Sequence, residues 1–243
     1  MLLDVDGTLL DIASTPHGVD VPPQLKRALS TLDEQAEGAI AFVSGRPVAE
    51  LDRLFAPLRL AAVGGHGAEV RINGQEEKPQ RYDTPIDNEL RGQFAAFART
   101  LDGVILEDKG YSLALHYRLA PQHADVVREA VAAACAPYPS EAIEVLPGKA
   151  VIEVKARVFN KGTGIRELMK HPPFHGRRPV FIGDDVTDES AFAVMPEFDG
   201  FAFSVGHELP GLAGSFARPH DVRQWLYRLA GLDNVVLEEA GRS

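Results

Sequence analysis

The segment Asp4-Val5-Asp6-Gly7-Thr8, which directly follows the apolar residues Met1-Leu2-Leu3, constrains the fold of this 243-residue chain more than any other feature. Apolar residues that lead into two carboxylates and a glycine predict a buried strand that ends in a turn. Because side chains alternate along an extended strand, Asp4 and Asp6 are expected on one side, roughly 6.5 Å apart. Neighbouring carboxylates repel each other unless a cation or a shared proton relieves them, so the pair predicts a Mg²⁺ site. The alternative is a plain Asp-Gly turn after an ordinary strand.

Strand-like runs alternate with helical patterns in the first third of the chain, and polar residues follow the strands. A predicted strand at 39–43 ends at Ser44, and a later one at 179–182 ends at Asp184. This alternation predicts a parallel sheet with crossover helices, that is, an α/β fold. In open α/β sheets ligands bind beyond the carboxyl ends of the strands, so these residues are expected to share one crevice with Asp4. Only three residues precede Asp4, so either the opening strand is unusually short or the chain begins upstream.

The pattern changes between residues 84 and 156 and then reverts. The region contains two predicted helices (87–101 and 122–135), a strand (111–117) and two paired strands (143–146 and 150–154) around Pro147-Gly148. Lys161-Gly162 then opens another helix of the first pattern. We therefore expect a parallel-sheet core domain formed by residues 1–83 and 157–243, and a smaller α/β cap domain inserted at 84–156.

Composition limits the partners of the chain. Thirty-five acidic residues against 25 basic ones give a net charge of −10, which argues against a nucleic-acid surface. No stretch approaches the roughly 18 uninterrupted apolar residues of a membrane helix. Cys135, the only cysteine, has no disulfide partner, which fits a reducing cytoplasm. The expected protein is a cytoplasmic monomer that binds a small molecule rather than nucleic acid or a membrane.

The residues expected in the crevice suit phosphoryl transfer from a phosphate monoester. Such an ester carries up to two negative charges, so a carboxylate can attack it only if Mg²⁺ and hydrogen-bonding or cationic groups screen the repulsion. Asp4 is expected to attack phosphorus. Asp6 is expected to give a proton to the departing oxygen and later to take one from water. Ser44 and Lys161 would hold the phosphoryl oxygens, although a turn serine and a solvated helix-terminal lysine are the simpler explanations.

The predicted metal site combines carboxylates from both ends of the chain. Asp184 would complete it together with the side chain of Asp4 and the backbone carbonyl of Asp6. Asp185 and Asp188, which follow Asp184 closely, are expected to orient the ligands without binding the metal themselves.

Taken together, Asp4-Val5-Asp6-Gly7-Thr8, Ser44, Lys161 and Gly183-Asp184-Asp185 resemble the four motifs of the haloacid dehalogenase superfamily of Mg²⁺ phosphatases. A cap inserted between the second and third motifs is typical of a sugar-phosphatase branch of that superfamily. Finer strings resemble the trehalose-6-phosphate phosphatase family: Ser44-Gly45-Arg46, Gly65-His66-Gly67-Ala68-Glu69, His116-Tyr117-Arg118, Gly148-Lys149 with Glu153, and Gly183-Asp184-Asp185-Val186-Thr187-Asp188-Glu189. The resemblance implies a Rossmann-like core and hydrolysis of trehalose 6-phosphate, through an aspartyl-phosphate, in trehalose biosynthesis.

The same resemblance implies which side chains bind the sugar. A disaccharide offers many hydroxyls and no charge apart from its phosphate, so its selection needs convergent polar side chains. The first candidates are Glu69, Lys149 and Glu153, followed by Arg46, His66, His116 and Arg118.

Two other functions stay open on the sequence alone. A capped phosphatase of the same superfamily that acts on sucrose or mannosyl phosphates would share the Asp4 chemistry and differ only in its sugar contacts. A receiver-like signalling domain also binds Mg²⁺ through clustered aspartates, but that fold needs about half this length and no insertion.

Overall fold

The structure is a computed structural model that describes residues 1–11, 20–75, 79–81, 86–140, 142–148 and 150–232. The chain divides into two compact units. The first combines Met1–Arg81 with Asn160–Ser243, and the second comprises Tyr82–Phe159. None of the helices within the described ranges has the length and apolar character needed to cross a membrane.

The first unit is built on a mostly parallel sheet, as the α/β prediction requires. Among the described residues this sheet has eight strands in the order β12-β11-β10-β1-β2-β3-β4-β5. The run from β12 to β3 is parallel, whereas β4 and β5 are antiparallel at one edge. The strands are β1 (Leu2–Leu3), β2 (Ala41–Val43), β3 (Ala61–Gly64), β4 (Glu69–Arg71), β5 (Gln80–Arg81), β10 (Val180–Gly183), β11 (Phe201–Val205) and β12 (Gly214–Phe216).

Amphipathic helices accompany this sheet. They are α1 (Pro23–Gln35), α2 (Val48–Phe55), α5 (Lys161–Leu168), α6 (Glu189–Val194) and α7 (Pro219–Leu229). In α1 the buried residues Leu25, Leu29 and Leu32 recur at helical spacing and enter the main apolar cluster with Phe42 of β2. Helix α2 begins directly after Pro47, which occupies its N-cap position.

Strand β1 is short but lies at the centre of the sheet. Leu3 is opposite Ile182 of β10 on one side and Phe42 of β2 on the other, and all three strands run in the same direction. Both residues of β1 are fully buried. The residues that follow β1, β2 and β10 therefore emerge at the same edge of the sheet.

The second unit is an antiparallel sheet with two helices on one face. Its order is β6-β7-β9-β8, formed by Ile105–Asp108, Ser112–His116, Val151–Ala156 and Ile143–Gly148 respectively. Helices α3 (Asn88–Ala98) and α4 (Ala124–Cys135) contribute Leu90, Phe94, Val127 and Val131 to a cluster with apolar residues of the sheet. The other face, which we call the polar face, carries Glu107, Ser112, His116, Glu153 and Lys155 by strand alternation.

Two sequence predictions for this unit were wrong in detail. Pro147 and Gly148 lie inside β8 rather than in the turn between the paired strands. Because β8 is an edge strand, a proline without an amide hydrogen is tolerated there. Strand β6 was not predicted, since Glu107 and Asp108 mask its strand character.

Candidate active site

A buried ion cluster lies at the carboxyl edge of the parallel sheet. Asp4 follows β1 directly, and its Oδ1 accepts a hydrogen bond of 2.7 Å from Lys161 Nζ. The same ammonium donates to Asp188 Oδ1 at 2.6 Å. Asp4 and Lys161 are each only 3 % exposed, and Asp188 is fully buried. One cation thus joins two carboxylates that are far apart in the sequence, in a place that excludes water.

Burial changes the proton affinities of these three groups. It raises the pKa of the Asp4 carboxyl to about 6, because the favourable charge of Lys161 only partly offsets the loss of hydration. Burial also raises the pKa of Asp188 to about 6, and the charge of Asp4 adds to this effect. Burial alone would lower the pKa of Lys161, but Asp4 and Asp188 outweigh it, so the pKa lies above its usual value and the ammonium stays charged.

Local sequence explains how Lys161 reaches Asp4. Asn160 caps α5: its side chain accepts from Thr163 N at 2.9 Å, and its own N–H donates to Thr163 Oγ1 at 3.1 Å. Lys161 is therefore the first helical residue. A Cβ at Gly162 would lie 2.2 Å from the carbonyl oxygen of Ser190, so only glycine allows this turn of α5 to pack so closely there.

Asp184 is held beside Asp4 by the loop that follows β1. Thr8 Oγ1 donates a hydrogen bond of 3.2 Å to Asp184 Oδ1. Gly7 has a positive φ of 85°, and a Cβ there would lie 2.0 Å from Asp184 Oδ2, so the site requires glycine twice over. Burial raises the pKa of the Asp184 carboxyl, and Asp188 adds to the increase.

The carboxylates can accommodate a divalent cation. Ligand atoms of Asp4, Asp184 and Asp188 all lie within 4.8 Å of one another. Asp4 Oδ2 is buried and accepts no hydrogen bond within the described part of the chain, which is costly for a carboxylate oxygen without a cation nearby. An all-oxygen set of this kind suits a hard ion such as Mg²⁺.

Asp188 differs from the other two acids because its oxygens are already engaged. Its Oδ1 accepts from Lys161, and its Oδ2 accepts from the amides of Asp184 and Asp185 at 3.0 and 3.1 Å. These bonds fix both the lysine and the loop that carries Asp184. Asp185 itself is exposed, and its Oδ1 accepts from Val186 N at 2.6 Å, which begins a short 3₁₀ turn.

Asp6 points its carboxylate at Arg46 and does not belong to the buried cluster. Arg46 Nε donates to Asp6 Oδ2 at 2.6 Å and Nη2 donates to Oδ1 at 2.7 Å, a bidentate pair. This hydrogen bond is the main reason that the pKa of Arg46 is raised. The predicted ligand from Asp6 is its backbone carbonyl, which this pairing leaves available.

Ser44 emerges from β2 next to Asp4 and is buried. Its hydroxyl oxygen accepts a hydrogen bond of 3.2 Å from Arg46 N, and its own N–H donates to Val63 O of β3 at 2.8 Å. The hydroxyl hydrogen can still be donated to another group. This geometry suits both a turn serine and a phosphate contact.

Comparison with known proteins identifies the family that has this arrangement. The family model described as trehalose-phosphatase matches residues 2–211. The chain belongs to the trehalose-phosphatase family. Over 224 residues it is 39 % identical to the trehalose-6-phosphate phosphatase of Escherichia coli K12, covering 92 % of this chain and 83 % of that protein.

Solved structures extend the comparison to the fold. The C-terminal domain of the Candida albicans trehalose-6-phosphate phosphatase superposes with a TM-score of 0.73 at 24 % identity and covers 95 % of this chain and 91 % of that chain. A haloacid dehalogenase-like hydrolase from B. subtilis gives 0.63 at 12 % identity, with 94 % and 99 % covered. The predicted haloacid dehalogenase-like α/β fold is therefore confirmed. Family membership makes the chain a phosphatase and excludes the receiver-like alternative.

Two predicted sugar-binding residues of the first unit contact its own loops. Glu69 is 2 % exposed, and its Oε2 accepts from Val48 N at 2.8 Å, at the first amide of α2. His66 has a positive φ of 55° and places its ring against Gly45. Both side chains therefore contact the segment that runs from Ser44 to Val48.

The polar face of the second unit holds two of the remaining candidates. Glu153 Oε1 accepts from Ser112 Oγ at 2.6 Å and from Lys109 Nζ at 3.2 Å. His116 Nε2 lies 2.9 Å from Glu107 Oε2. Arg118 follows β7 and is exposed. Lys149 lies outside the described residues.

Residues that the sequence did not single out also shape the site. Thr8, which ends the opening Asp4–Thr8 segment but had no role assigned to it, is fully buried and donates to Asp184, and its place two positions after Asp6 was the available signal. Asn160, two positions before Gly162, caps the helix that delivers Lys161. A polar residue that can cap a helix, directly before the lysine, is the sequence signal for this arrangement.

Proposed function

We propose that this protein hydrolyses trehalose 6-phosphate to trehalose and phosphate, with Asp4 as the nucleophile. The observation that carries this proposal is the state of the Asp4 carboxylate in a member of the trehalose-phosphatase family. Lys161 orients one of its oxygens, and the other is buried and accepts no hydrogen bond from the described residues. Such a group is desolvated, oriented and able to engage phosphorus.

The reaction has two balanced steps. In the first, an Asp4 oxygen bonds to phosphorus, the bond between phosphorus and the sugar oxygen breaks, and Asp6, as the general acid, gives a proton to that oxygen. In the second, a water oxygen bonds to phosphorus, the bond to Asp4 breaks, and Asp6 takes the proton that water loses. The net reaction consumes one water and restores both aspartates.

Several residues of the first unit would share the neutralisation of the negative charge on the phosphoryl group. Lys161 and the Ser44 hydroxyl would hold oxygens of the transferring phosphoryl group. Mg²⁺ would be held by Asp4, Asp184 and the backbone carbonyl of Asp6, with Asp185 and Asp188 fixing the loop around it. When bound, the ion would screen the negative charges of nucleophile and phosphate. The hydrogen bonds that saturate Asp188 support its positioning role.

Sugar selectivity is proposed for the polar residues that the family resemblance suggested. Glu153, His116, Arg118 and Lys149 are the candidates from the second unit, and Glu69 and His66 are candidates from the first. A buried hydrogen bond from Val48 N orients the Glu69 carboxylate. A cytoplasmic site of action, with a sugar phosphate as the small-molecule partner, belongs to the same proposal.

A panel of phosphate esters tests the assignment. Phosphate release is measured for trehalose 6-phosphate, sucrose 6-phosphate, mannosyl phosphates and glucose 6-phosphate in Mg²⁺, and the highest kcat/KM is expected for trehalose 6-phosphate. Asp6→Asn should retain phosphate binding while it stops turnover. Preference for another sugar would refute the substrate and leave the mechanism intact, whereas an adduct on a residue other than Asp4 in trapping experiments would refute the mechanism.

A further inference from the structure

The contact between Arg46 and Asp6 joins two loops that the sequence separates by 40 residues. The guanidinium uses two different nitrogens for two different carboxylate oxygens, at 2.6 and 2.7 Å. The side chain of Arg46 is 16 % exposed and that of Asp6 is 38 % exposed. The third nitrogen, Nη1, lies 3.6 Å from Glu50 Oε2. Arg46 is therefore surrounded by protein carboxylates, which accounts for its positive charge without any ligand.

The backbone around Arg46 is fixed on several sides. Its N–H donates to Ser44 Oγ at 3.2 Å, and its carbonyl accepts from Gly65 N at 2.9 Å. Two residues later, the Val48 amide donates to the buried Glu69 carboxylate at 2.8 Å. The base of the arginine is thus anchored to the β3–β4 turn. Because its backbone is fixed, the guanidinium of Arg46 can hold the Asp6 carboxylate in one orientation.

Among the described residues, the Asp6 side chain accepts hydrogen bonds from Arg46 alone. Strand β1 ends at Leu3, and Asp6 lies in the loop beyond, where a single bridge to Leu10 is the nearest backbone pairing. A partly exposed carboxylate on such a loop can occupy several rotamers. Proton transfer requires it to face the sugar oxygen within hydrogen-bond reach, so a second group must fix its direction.

We infer that Arg46 is a positioning residue that orients the Asp6 carboxylate toward the leaving-group oxygen through its two-point contact, rather than a ligand of the phosphate or of the sugar. The inference deepens the proposed function and rests on the acid–base role given there to Asp6. The planar fork is essential to it, because an ammonium cannot fix both oxygens of a carboxylate.

Substrates with leaving groups of different basicity can distinguish three possible roles of Arg46: positioning of Asp6, binding of the phosphate and binding of the sugar. Steps up to cleavage of the ester determine kcat/KM, and a poor leaving group depends on protonation more than a good one. Phenyl phosphate and 4-nitrophenyl phosphate have nearly the same size and carry no sugar, so they differ mainly in this dependence. We would measure kcat/KM for these two esters and for trehalose 6-phosphate in wild type, Arg46→Lys and Arg46→Gln. The control is Arg53→Gln, because Arg53 is exposed on α2.

The expected result is a graded loss. In Arg46→Gln, kcat/KM for phenyl phosphate and trehalose 6-phosphate should fall by about 10²-fold, within the range that general acid catalysis contributes, while 4-nitrophenyl phosphate should lose less than about threefold. Arg46→Lys should lie between, and Arg53→Gln should match wild type. An equal loss on all three esters would reveal a phosphate contact and overturn the inference. A loss confined to trehalose 6-phosphate would reveal a sugar contact and overturn it too.

A crystal structure of Arg46→Gln tests the inference independently of the chemistry. Asp6 is expected to leave its present orientation, and an unchanged Asp6 rotamer in a folded variant would contradict the positioning role. Asp6→Asn, measured on the same esters, tests the acid role of Asp6 separately from the positioning role of Arg46. If that variant loses activity equally on all esters, the acid role of Asp6 fails, and the Asp6 rotamer in the crystal then decides whether Arg46 positions this side chain.

Discussion

The two units of this protein use charged residues in opposite ways. In the first unit Asp4, Lys161 and Asp188 are almost completely buried, and burial raises the pKa of both carboxyls to about 6. In the second unit the charged pairs of the polar face include at least one accessible partner, such as Glu107 with His116 at 43 % and 40 % exposure, or the buried Lys155 with Glu144, which is 32 % exposed. Burial, rather than residue type alone, therefore determines the pKa of these carboxyls.

Topology explains why the burial differs. Strand β1 has a parallel neighbour on each side, so the residue after it emerges between strand ends that shield it from water. The sheet of the second unit has helices on one face only, so alternate side chains remain on the polar face. A carboxylate at the end of β1 loses its hydration and is therefore destabilised in its charged form. A carboxylate on the polar face can keep contact with water.

The most severe test of this comparison removes the nucleophile. Asp4→Asn should reduce kcat on trehalose 6-phosphate by at least about 10⁴-fold, because an amide cannot attack phosphorus. Phosphate release in a coupled assay measures this, with circular dichroism to verify folding. A folded variant that keeps more than a tenth of the wild-type rate would remove Asp4 from the mechanism.

The buried cation should matter most for stability. Lys161→Met should lower the free energy of unfolding by about 3–5 kcal/mol at pH 7.5, because it leaves Asp4 and Asp188 buried without a counter-charge. The loss should shrink at pH 5, where both carboxyls, with pKa values of about 6, become protonated and neutral. Urea unfolding in EDTA measures both. The matched control is Lys170→Met, an exposed lysine paired with Glu167, which should change stability by less than about 0.5 kcal/mol.

Selectivity should depend on the second unit. Glu153→Ala is expected to lower kcat/KM for trehalose 6-phosphate by about 10- to 100-fold and to leave 4-nitrophenyl phosphate nearly unchanged, because only the sugar would contact this residue. Steady-state kinetics on both esters check this, with exposed Glu129→Gln of α4 as the control. Parallel losses on the two esters would place Glu153 outside the sugar site.

Magnesium affinity should depend on pH in the first unit. The folded carboxyl of Asp4 has a pKa of about 6, raised from 3.8, so it holds a proton below that pH, and the metal must displace this proton. Between pH 7.5 and pH 5 the dissociation constant should therefore rise about tenfold. Calorimetry in buffers of different ionisation enthalpy should also show proton release near pH 6. A dissociation constant that is flat across this range would contradict the assigned ligand.

The smallest effect is expected on the polar face. His116→Gln breaks the pair with Glu107, but both partners are well exposed, so the free energy of unfolding should change by less than about 0.5 kcal/mol. Thermal unfolding at pH 6 and pH 8 measures this. A loss above 2 kcal/mol would mean that the polar face is as demanding as the buried cluster, and the contrast between the units would disappear.

The features that follow from a local rule were the ones that could be predicted. Alternation of buried runs with polar residues at their ends correctly predicted the parallel sheet. Strand β6 was not predicted because two of its four residues are acidic. The turn near Pro147 was misplaced because an edge strand tolerates proline.

The candidate active site also has features that could be predicted from the sequence and features that could not. The position of Asp4, Ser44 and Asp184 at one edge of a parallel sheet can be inferred from the order of strands and helices along the chain, without knowledge of side-chain packing. The pairing of Asp6 with Arg46 and the hydrogen bond from Val48 N to Glu69 could not be inferred in this way and are seen only in the folded structure. A partner for a charged side chain depends on which loops approach within about 3 Å, and that distance is set by packing across the whole unit.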